Sequence, residues 1–591
     1  MCGIVGYIDK QNPVNKELFN TMLNTLAHRG PDGWGTYYNQ DNSIALGHRR
    51  LSFIDLSETG KQPMCDVAEK VWITFNGEIY NYKELKNELE TSYQFKTDTD
   101  TEVILAAYHV WGINFINKLK GMFALGLYDT RINKLFLIRD RFGIKPLYYY
   151  TNGNQLIFAS EIKAILASEV LQKEIDFSAF ADYFVYRYIP SPKTIWKNIS
   201  KLPPATYIEI DTINLQTKTT EYWKIDSSNT REKSSKTIEE INQKLTQAVK
   251  EHTIADVPIG SFLSGGYDSS ALVYYMKMLQ QNPDTFSIGF SNWEKSEDQY
   301  AKIVANHLRV NNTSIVADED SLKLLDIMAT VYDEPIADIS IVPTYMVSEL
   351  AAKKVKAVLS GEGADEIFAG YTWQHDFMKQ RNTANWFSKL FSKNNPIDDT
   401  VMFYAQSMAM GWFDAEELKQ MLNPSLHKHI PDDVHWFYRR HFNKNLSPLK
   451  SIQYMDVKCF MGELVLTKID RASMANSLEV RVPFLDHTII EKVFSLNEKD
   501  YFKSTQTKDL LYQNIKANLP KQILNRKKQG FVGPDTYYMN IGFYKKALHN
   551  SLLVQHNIIN QNYIDKLLQE TYNWKLWKIL IMEKWYKKWI E

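Results

Sequence analysis

The sequence has little cysteine: three in 591 residues, Cys2, Cys65 and Cys459. Three thiols cannot build a disulfide framework, so a reducing compartment, the cytoplasm, is expected. No apolar run approaches the ~20 residues that a membrane span needs. Neither sign of charge is in excess, with 69 Lys plus Arg against 69 Asp plus Glu, which argues against a dedicated nucleic-acid binder. The opening Met-Cys-Gly-Ile-Val-Gly has no basic region and no cleavable apolar stretch, so no secretory signal is expected. Internal repeats and low-complexity tracts are also missing. What remains is ordinary globular composition, 44% hydrophobic and 23% charged, over a length that calls for several domains.

Two rhythms divide the chain. The first two hundred residues read as short β segments, at 3–8, 44–47, 71–75, 123–128, 135–139, 146–150 and 155–160, with helices at 82–90 and 102–111. Many strands with few helices predict packed sheets. The stretch 226–236 (DSSNTREKSSK) is polar and without periodicity, as a linker or exposed loop would be. Beyond it, Ile238, Ile241, Leu245, Ala248 and Val249 keep helical spacing. Strands at 259–263, 285–289, 313–316 and 355–359 then alternate with helices, among them 269–278 and 299–308. That order predicts a parallel α/β sheet with its ligand at the carboxyl ends of the strands. From about residue 400 helices dominate.

Two glycine-bearing loops fall at those strand ends. Ser264-Gly265-Gly266-Tyr267-Asp268-Ser269-Ser270 lies between a predicted strand and a predicted helix. Paired glycines let the backbone turn with its amides exposed, hydroxyls add donors, and the helix N-terminus behind them favours an anion. A phosphate or pyrophosphate fits, with Asp268 available to Mg²⁺. For this run alone, an ordinary capped Ser-Gly turn explains the pattern as well. The GxxxxGK(S/T) pattern is not there, which disfavours Walker-type γ-phosphate transfer. The second loop, 360–366 (SGEGADE), follows the strand at 355–359. If the two strands are neighbours, Asp268 and Asp365 form a two-carboxylate Mg²⁺ site beside a pyrophosphate loop, and nucleotide chemistry becomes the better reading.

Cys2 after the initiator Met, HRRLSFID with Arg49, Leu51 and Ser52, NGEIYN (76–81) and TDTDTE (97–102) resemble the N-terminal-nucleophile glutaminase domain of class II amidotransferases. LSGGYDSS and SGEGADEIFAGY (360–371) resemble an ATP-pyrophosphatase synthetase domain. With VRVPFLD (480–486) and this domain order, nearly the whole chain is similar to the glutamine-hydrolysing asparagine synthetase family. The resemblance implies an α+β glutaminase domain over 2–210, with antiparallel sheets layered as αββα. A linker region over 211–236 would lead to an α/β ATP-pyrophosphatase domain with a helical extension over 237–591.

It also implies roles. Cys2, exposed once Met1 is removed, would attack the side-chain amide of glutamine while its own α-amine manages the proton. The Asn76 side chain and the Gly77 backbone amide would donate to the tetrahedral intermediate, where one donor is worth ~10²–10³ in rate. Arg49 would pair with the glutamine α-carboxylate; Glu78 and Asp100 would hold its α-ammonium, with Asn76 part of the same site. In the synthetase domain a carboxylate would attack the α-phosphorus of ATP, giving an acyl-adenylate and pyrophosphate. Ser264, Gly265, Gly266, Asp268, Ser269 and Ser270 would cradle the pyrophosphate. Leu263, Ile288, Ser360 and Gly361 would complete the ATP site, and Lys508 would steady the phosphates. Asp268 and Asp365 would bind Mg²⁺, and Glu362 would assist the attack of ammonia as general base. A tunnel would carry ammonia between the sites; the sequence does not identify its lining. HRGPDG (28–33) reads as a supporting turn, and Cys65 and Cys459 as structural.

Three positions depart from the family pattern: Tyr267 where a small aliphatic residue is usual, Ala364 where Ser is frequent, and Tyr512 where Arg is common. None removes a group that catalysis requires. DEPIADIS (333–340) resembles a broad bacterial branch and lacks an arginine that other members place nearby to bind the aspartate carboxylate. Asp470, Arg471 and Arg481 are then either an alternative anion site or buried structural pairs. Aspartate is the expected acceptor; the alternative is the same chemistry on another carboxylate, such as a uronic acid of a cell-surface polysaccharide. A non-catalytic sensor would need neither Cys2 nor the metal carboxylates. Expected partners are glutamine, ATP and the acceptor, with homodimer formation left open. Trp574, Trp577, Ile581, Trp585 and Trp589 share much of one helical face, which predicts a helix closing the synthetase core in preference to one docked on a membrane.

Overall fold

The computed structural model describes residues 2–225, 234, 236–383, 396–526, 529–530, 533–570 and 573–591. Strands β1 (Gly3–Asp9), β2 (Gly33–Tyr38), β3 (Ile44–Arg50), β4 (Met64–Cys65), β5 (Val71–Ile79), β6 (Gly121–Asp129), β7 (Lys134–Arg139), β8 (Tyr148–Thr151), β9 (Gln155–Ala159), β10 (Ile199–Lys201), β11 (Thr206–Asp211) and β12 (Thr217–Glu221) build two sheets. These are six-stranded, ordered β10-β8-β9-β1-β3-β2 and β12-β11-β7-β6-β5-β4, with antiparallel pairing throughout.

The two-residue period of the strands decides how the sheets stack. In β1, Ile4 and Ile8 join Leu46, Leu137, Phe158 and Ile208 in the core between the sheets. Val5 and Tyr7, on the opposite face, pack instead with Phe19 and Met22 of the helix Lys16–Asn24. On the far side of the second sheet, Ile73 and Phe75 pack with the helices Tyr82–Leu89 and Asp100–Trp111. The layering is therefore αββα. The expected linker begins later than residue 211: Thr217–Glu221 still pairs with β11 as an edge strand. Its sequence, TKTTE, is polar at every position and gives no apolar signal. Residues 226–233 and 235, most of the expected linker, lie outside the described residues.

After the helix Thr237–His252, β13 (Ile259–Phe262), β14 (Thr285–Phe290), β15 (Asn312–Ala317), β16 (Ala357–Leu359) and β17 (Glu479–Arg481) form a third sheet. It is wholly parallel, in the order β15-β14-β13-β16-β17. The chain extends from β13 to one side through β15, then returns to add β16 on the other. The order reverses between β13 and β16, where open α/β sheets bind ligands. Ile259 lies opposite Ala357 and Ser261 opposite Leu359, so the loops that follow these two strands leave the sheet side by side.

The closing helix Trp574–Trp589 belongs to the core. Trp577 and Trp585 are each 1% exposed. Trp585 Nε1 donates to the Asp333 carbonyl at 3.0 Å, and its ring lies 5.4 Å from that of Trp196 in the first part of the chain. Among the described residues no helix is long and apolar enough to cross a membrane.

Candidate active sites

Cys2 stands at the head of β1, and the ladder sets its neighbour Gly3 opposite Arg49 of β3. The Cys2 backbone N donates to Asn76 Oδ1 at 2.9 Å, and Arg29 Nε donates to the Cys2 carbonyl at 3.1 Å. With its oxygen engaged, Asn76 keeps a buried Nδ2 that has no hydrogen bond among the described residues. An unused buried donor costs about 1–3 kcal/mol; on a side chain bonded to the Cys2 backbone it is also the kind of group a developing oxyanion needs. Gly77 follows on β5, opposite Phe123 of β6. Burial pushes the Cys2 thiol up.

Two carboxyls stand close by. Asp100, in the first turn of its helix, accepts from the Ile79 backbone N at 3.0 Å, and burial lifts it to about 6. Burial also lifts Glu78 well above the usual range, although Arg481 Nη2 lies 3.4 Å from its Oε2. Arg49 donates to Asn24 Oδ1 and to the Leu23 carbonyl. No carboxylate is paired with it among the described residues, so its charge is available to an anion.

The second site lies where the third sheet reverses. Gly265 has φ +72°, and a Cβ there would meet the Tyr300 backbone at 2.5 Å, so the turn closes only with glycine. A Cβ on Gly361 would stand 2.8 Å from that of Asp268: the two loops touch. Ser269 Oγ lies 3.1 Å from both the N and the Oγ of Ser264. A cavity of about 540 Å³ is lined by Leu263, Ser264, Gly266, Asp268, Ser269, Ile288, Ser360, Gly361, Glu362, Asp365 and Lys508. Gly265 and Ser270 are not on its wall; Gly265 sets the turn, and the Ser270 hydroxyl is buried without a partner among the described residues.

Lys508 precedes the helix Asp509–Ile515 and lies 4% exposed. Its Nζ is 2.6 and 2.5 Å from the oxygens of Asp268 and 2.7 Å from Asp365 Oδ1. Burial works against the ammonium, but the two carboxylates outweigh it and hold its pKa above that of an ordinary lysine. The carboxylates of the two loops thus converge on one cation. Two carboxylates at an open cavity suit a hard divalent ion that completes its shell with phosphate oxygens and water. Among the described residues no group of three or more His, Cys, Asp or Glu side chains could hold a metal unaided. Glu362 accepts from Ser360 Oγ; burial raises its carboxyl, against the lowering influence of Ser360 and Lys468.

Some features were not legible beforehand. Tyr267 and Tyr512, two of the departures from the family pattern, face each other with ring centroids 6.0 Å apart, and Tyr267 also donates to the Leu524 carbonyl. Asp470, Arg471 and Arg481 resolve as buried pairs and do not line the cavity. Arg29 holds Glu161 at 2.7 Å and Asp470 at 2.8 Å, Arg471 holds Glu161 at 2.9 Å and Asp333 at 3.1 Å, and Arg481 holds Glu479 at 2.6 Å. HRGPDG is therefore more than a turn, since its Arg29 joins Cys2 to this junction. The cavity residues Arg187, Lys468 and Arg526 carry no motif; only their placement reveals them.

A cysteine hydrogen-bonded to a buried amide in one domain, and two glycine loops at the switch point of a parallel sheet in the other, accompany a class that comparison with known proteins shows: a glutamine amidotransferase domain coupled to a ligase domain. Residues 1–223 match the family model described as a glutamine amidotransferase domain, and residues 240–587 match that described as asparagine synthase. The chain belongs to the asparagine synthase family, whose members use ATP. Its relatives include glutamine-hydrolyzing asparagine synthetase 1 of Bacillus subtilis (strain 168), 33% identical over 99% of this chain and 96% of its own. Asparagine synthetase 3 of the same strain is 30% identical over 96% of this chain and 93% of its own. The amidase chry2 of Gibberella zeae is 28% identical, again over 96% and 93%. The protein is a glutamine-dependent amidotransferase ligase.

Proposed function

We propose that the protein is a cytoplasmic enzyme that makes asparagine from aspartate, glutamine and ATP. Cys2, freed of Met1, attacks the glutamine amide; the Asn76 Nδ2 and the Gly77 N–H receive the oxyanion, Arg49 takes the α-carboxylate, and Glu78 and Asp100 take the α-ammonium. Ammonia leaves and a glutamyl thioester is hydrolysed. In the second cavity an oxygen of the aspartate β-carboxylate attacks the α-phosphorus of ATP, the α–β anhydride bond breaks, and pyrophosphate departs into the loop 264–270. Ammonia then attacks the acyl carbon, Glu362 takes a proton, and AMP leaves. Mg²⁺ held by Asp268 and Asp365 would neutralise phosphate charge.

The observation that carries this reading is the convergence of Asp268, Asp365, Lys508 and Glu362 on one cavity, in a chain that also presents Cys2 bonded to Asn76. Cys2→Ala is expected to abolish synthesis from glutamine while synthesis from ammonium persists. Glu362→Ala is expected to abolish both. A Cys2→Ala protein that still uses glutamine, or a Glu362→Ala protein with full ammonium-dependent activity, would overturn these assignments.

A further inference from the structure

Building on that reading, we propose that Arg187 of the glutaminase domain binds a second carboxylate on the acceptor, so that one domain supplies a specificity determinant to the pocket of the other. Among the described residues four cations line the synthetase cavity: Arg187, Lys468, Lys508 and Arg526. Three are already matched. Lys508 lies between Asp268 and Asp365. Lys468 donates to Ser340 Oγ at 2.7 Å and lies 3.8 Å from Asp338, and Arg526 lies 3.3 Å from Glu297. Arg187 has no partner at that range: among the described residues its guanidinium makes no hydrogen bond and no ion pair, and the Asp338 carboxylate, which Lys468 faces at 3.8 Å, feels its charge only from beyond contact distance. The guanidinium lies over the Phe460 ring, 5.8 Å from the centroid, and its Nε is buried and unsatisfied.

The backbone fixes it there. Arg187 ends the helix Phe177–Tyr186 in the left-handed conformation, φ 72°, a strained choice for a non-glycine residue. Its carbonyl accepts from the Ala337 N–H at 2.9 Å. That docks the first domain onto the segment carrying Asp338 and Ser340, both on the cavity wall. A guanidinium held with donors unmet favours a carboxylate, which it can grip by two parallel bonds. With the reacting carboxylate at the ATP loops and Glu362, a monocarboxylate leaves Arg187 unmet. A uronate would offer it hydroxyls alone. An amino dicarboxylate satisfies both ends of the pocket, which is how this arrangement would select aspartate.

The test compares aspartate with β-alanine, which keeps the reacting carboxylate and lacks the other. Pyrophosphate release is measured with ATP, Mg²⁺ and ammonium, in the full-length wild type, Arg187→Met and Arg187→Lys. The wild type is expected to favour aspartate in kcat/KM on the order of 10²-fold or more. Arg187→Met is expected to bring that ratio to within about tenfold of unity, chiefly through the KM for aspartate, and Arg187→Lys to restore part of it. The ratio is taken within one preparation, so loss of folded protein cancels. An unchanged ratio in Arg187→Met, with aspartate still used, would overturn the role of Arg187 alone. A wild type silent on aspartate would overturn the asparagine reading and this inference with it.

Discussion

Asn76 turns its carbonyl oxygen to the Cys2 backbone and leaves its amide nitrogen buried without a partner among the described residues. The motif NGEIYN marks the residue in sequence, but which end of the amide is left unbonded follows only from the hydrogen bond. Asp100 is a second case of local chemistry the sequence could not supply. It looks like an ordinary first-turn carboxylate, yet burial lifts it to about 6. Above that pH it is ionised and can pair with an ammonium, and below it is neutral. The KM for glutamine is therefore expected to rise as pH falls through 6, by about tenfold per unit at the limit, with kcat moving less. A glutaminase assay between pH 8 and 5 checks it, and a flat KM would remove Asp100 from glutamine binding.

Most of the elements that were legible had apolar patterns. β1, β5, β6 and the strands β13 to β16 follow their apolar runs, and the glycines of 264–266 and 360–363 mark the turns after β13 and β16. β2, β4, β10 and β11 were not predicted either, β11 in spite of its alternating pattern; two further strands were missed for want of an apolar signal. β12 is an all-polar edge strand, and β17 is three residues long with two charges, Glu479 and Arg481, both fully buried. A buried strand carrying charges reads as a loop until its partners are known, here each other, Glu78 and the carbonyls of His252 and Ile254. The same holds for the junction of Arg29, Glu161, Asp470, Arg471 and Asp333, whose members lie far apart in sequence. Removing one partner of such a pair strands the other without compensation. Arg29→Met is thus expected to cost about 3–5 kcal/mol, seen in calorimetry as a lowered thermal midpoint. A midpoint equal to that of the wild type would show that the junction contributes nothing to stability.

Across the whole molecule, the family and its two domains could be read from motifs, because the proposed chemistry of each motif can be carried by few residue types. The proposed acceptor end of the cavity could not. Arg187 comes from one domain, Lys468 and Asp338 from the other, and no local pattern joins residues so distant. The identity of the acceptor is therefore what the whole assembly most needs tested. Purified protein would be given glutamine, ATP and Mg²⁺ with aspartate, and in parallel with a panel of uronates, and all products identified by mass. Asparagine, AMP and pyrophosphate in equal amounts with aspartate, and none with the uronates, is the expected result. Turnover of a uronate with silence on aspartate would contradict it.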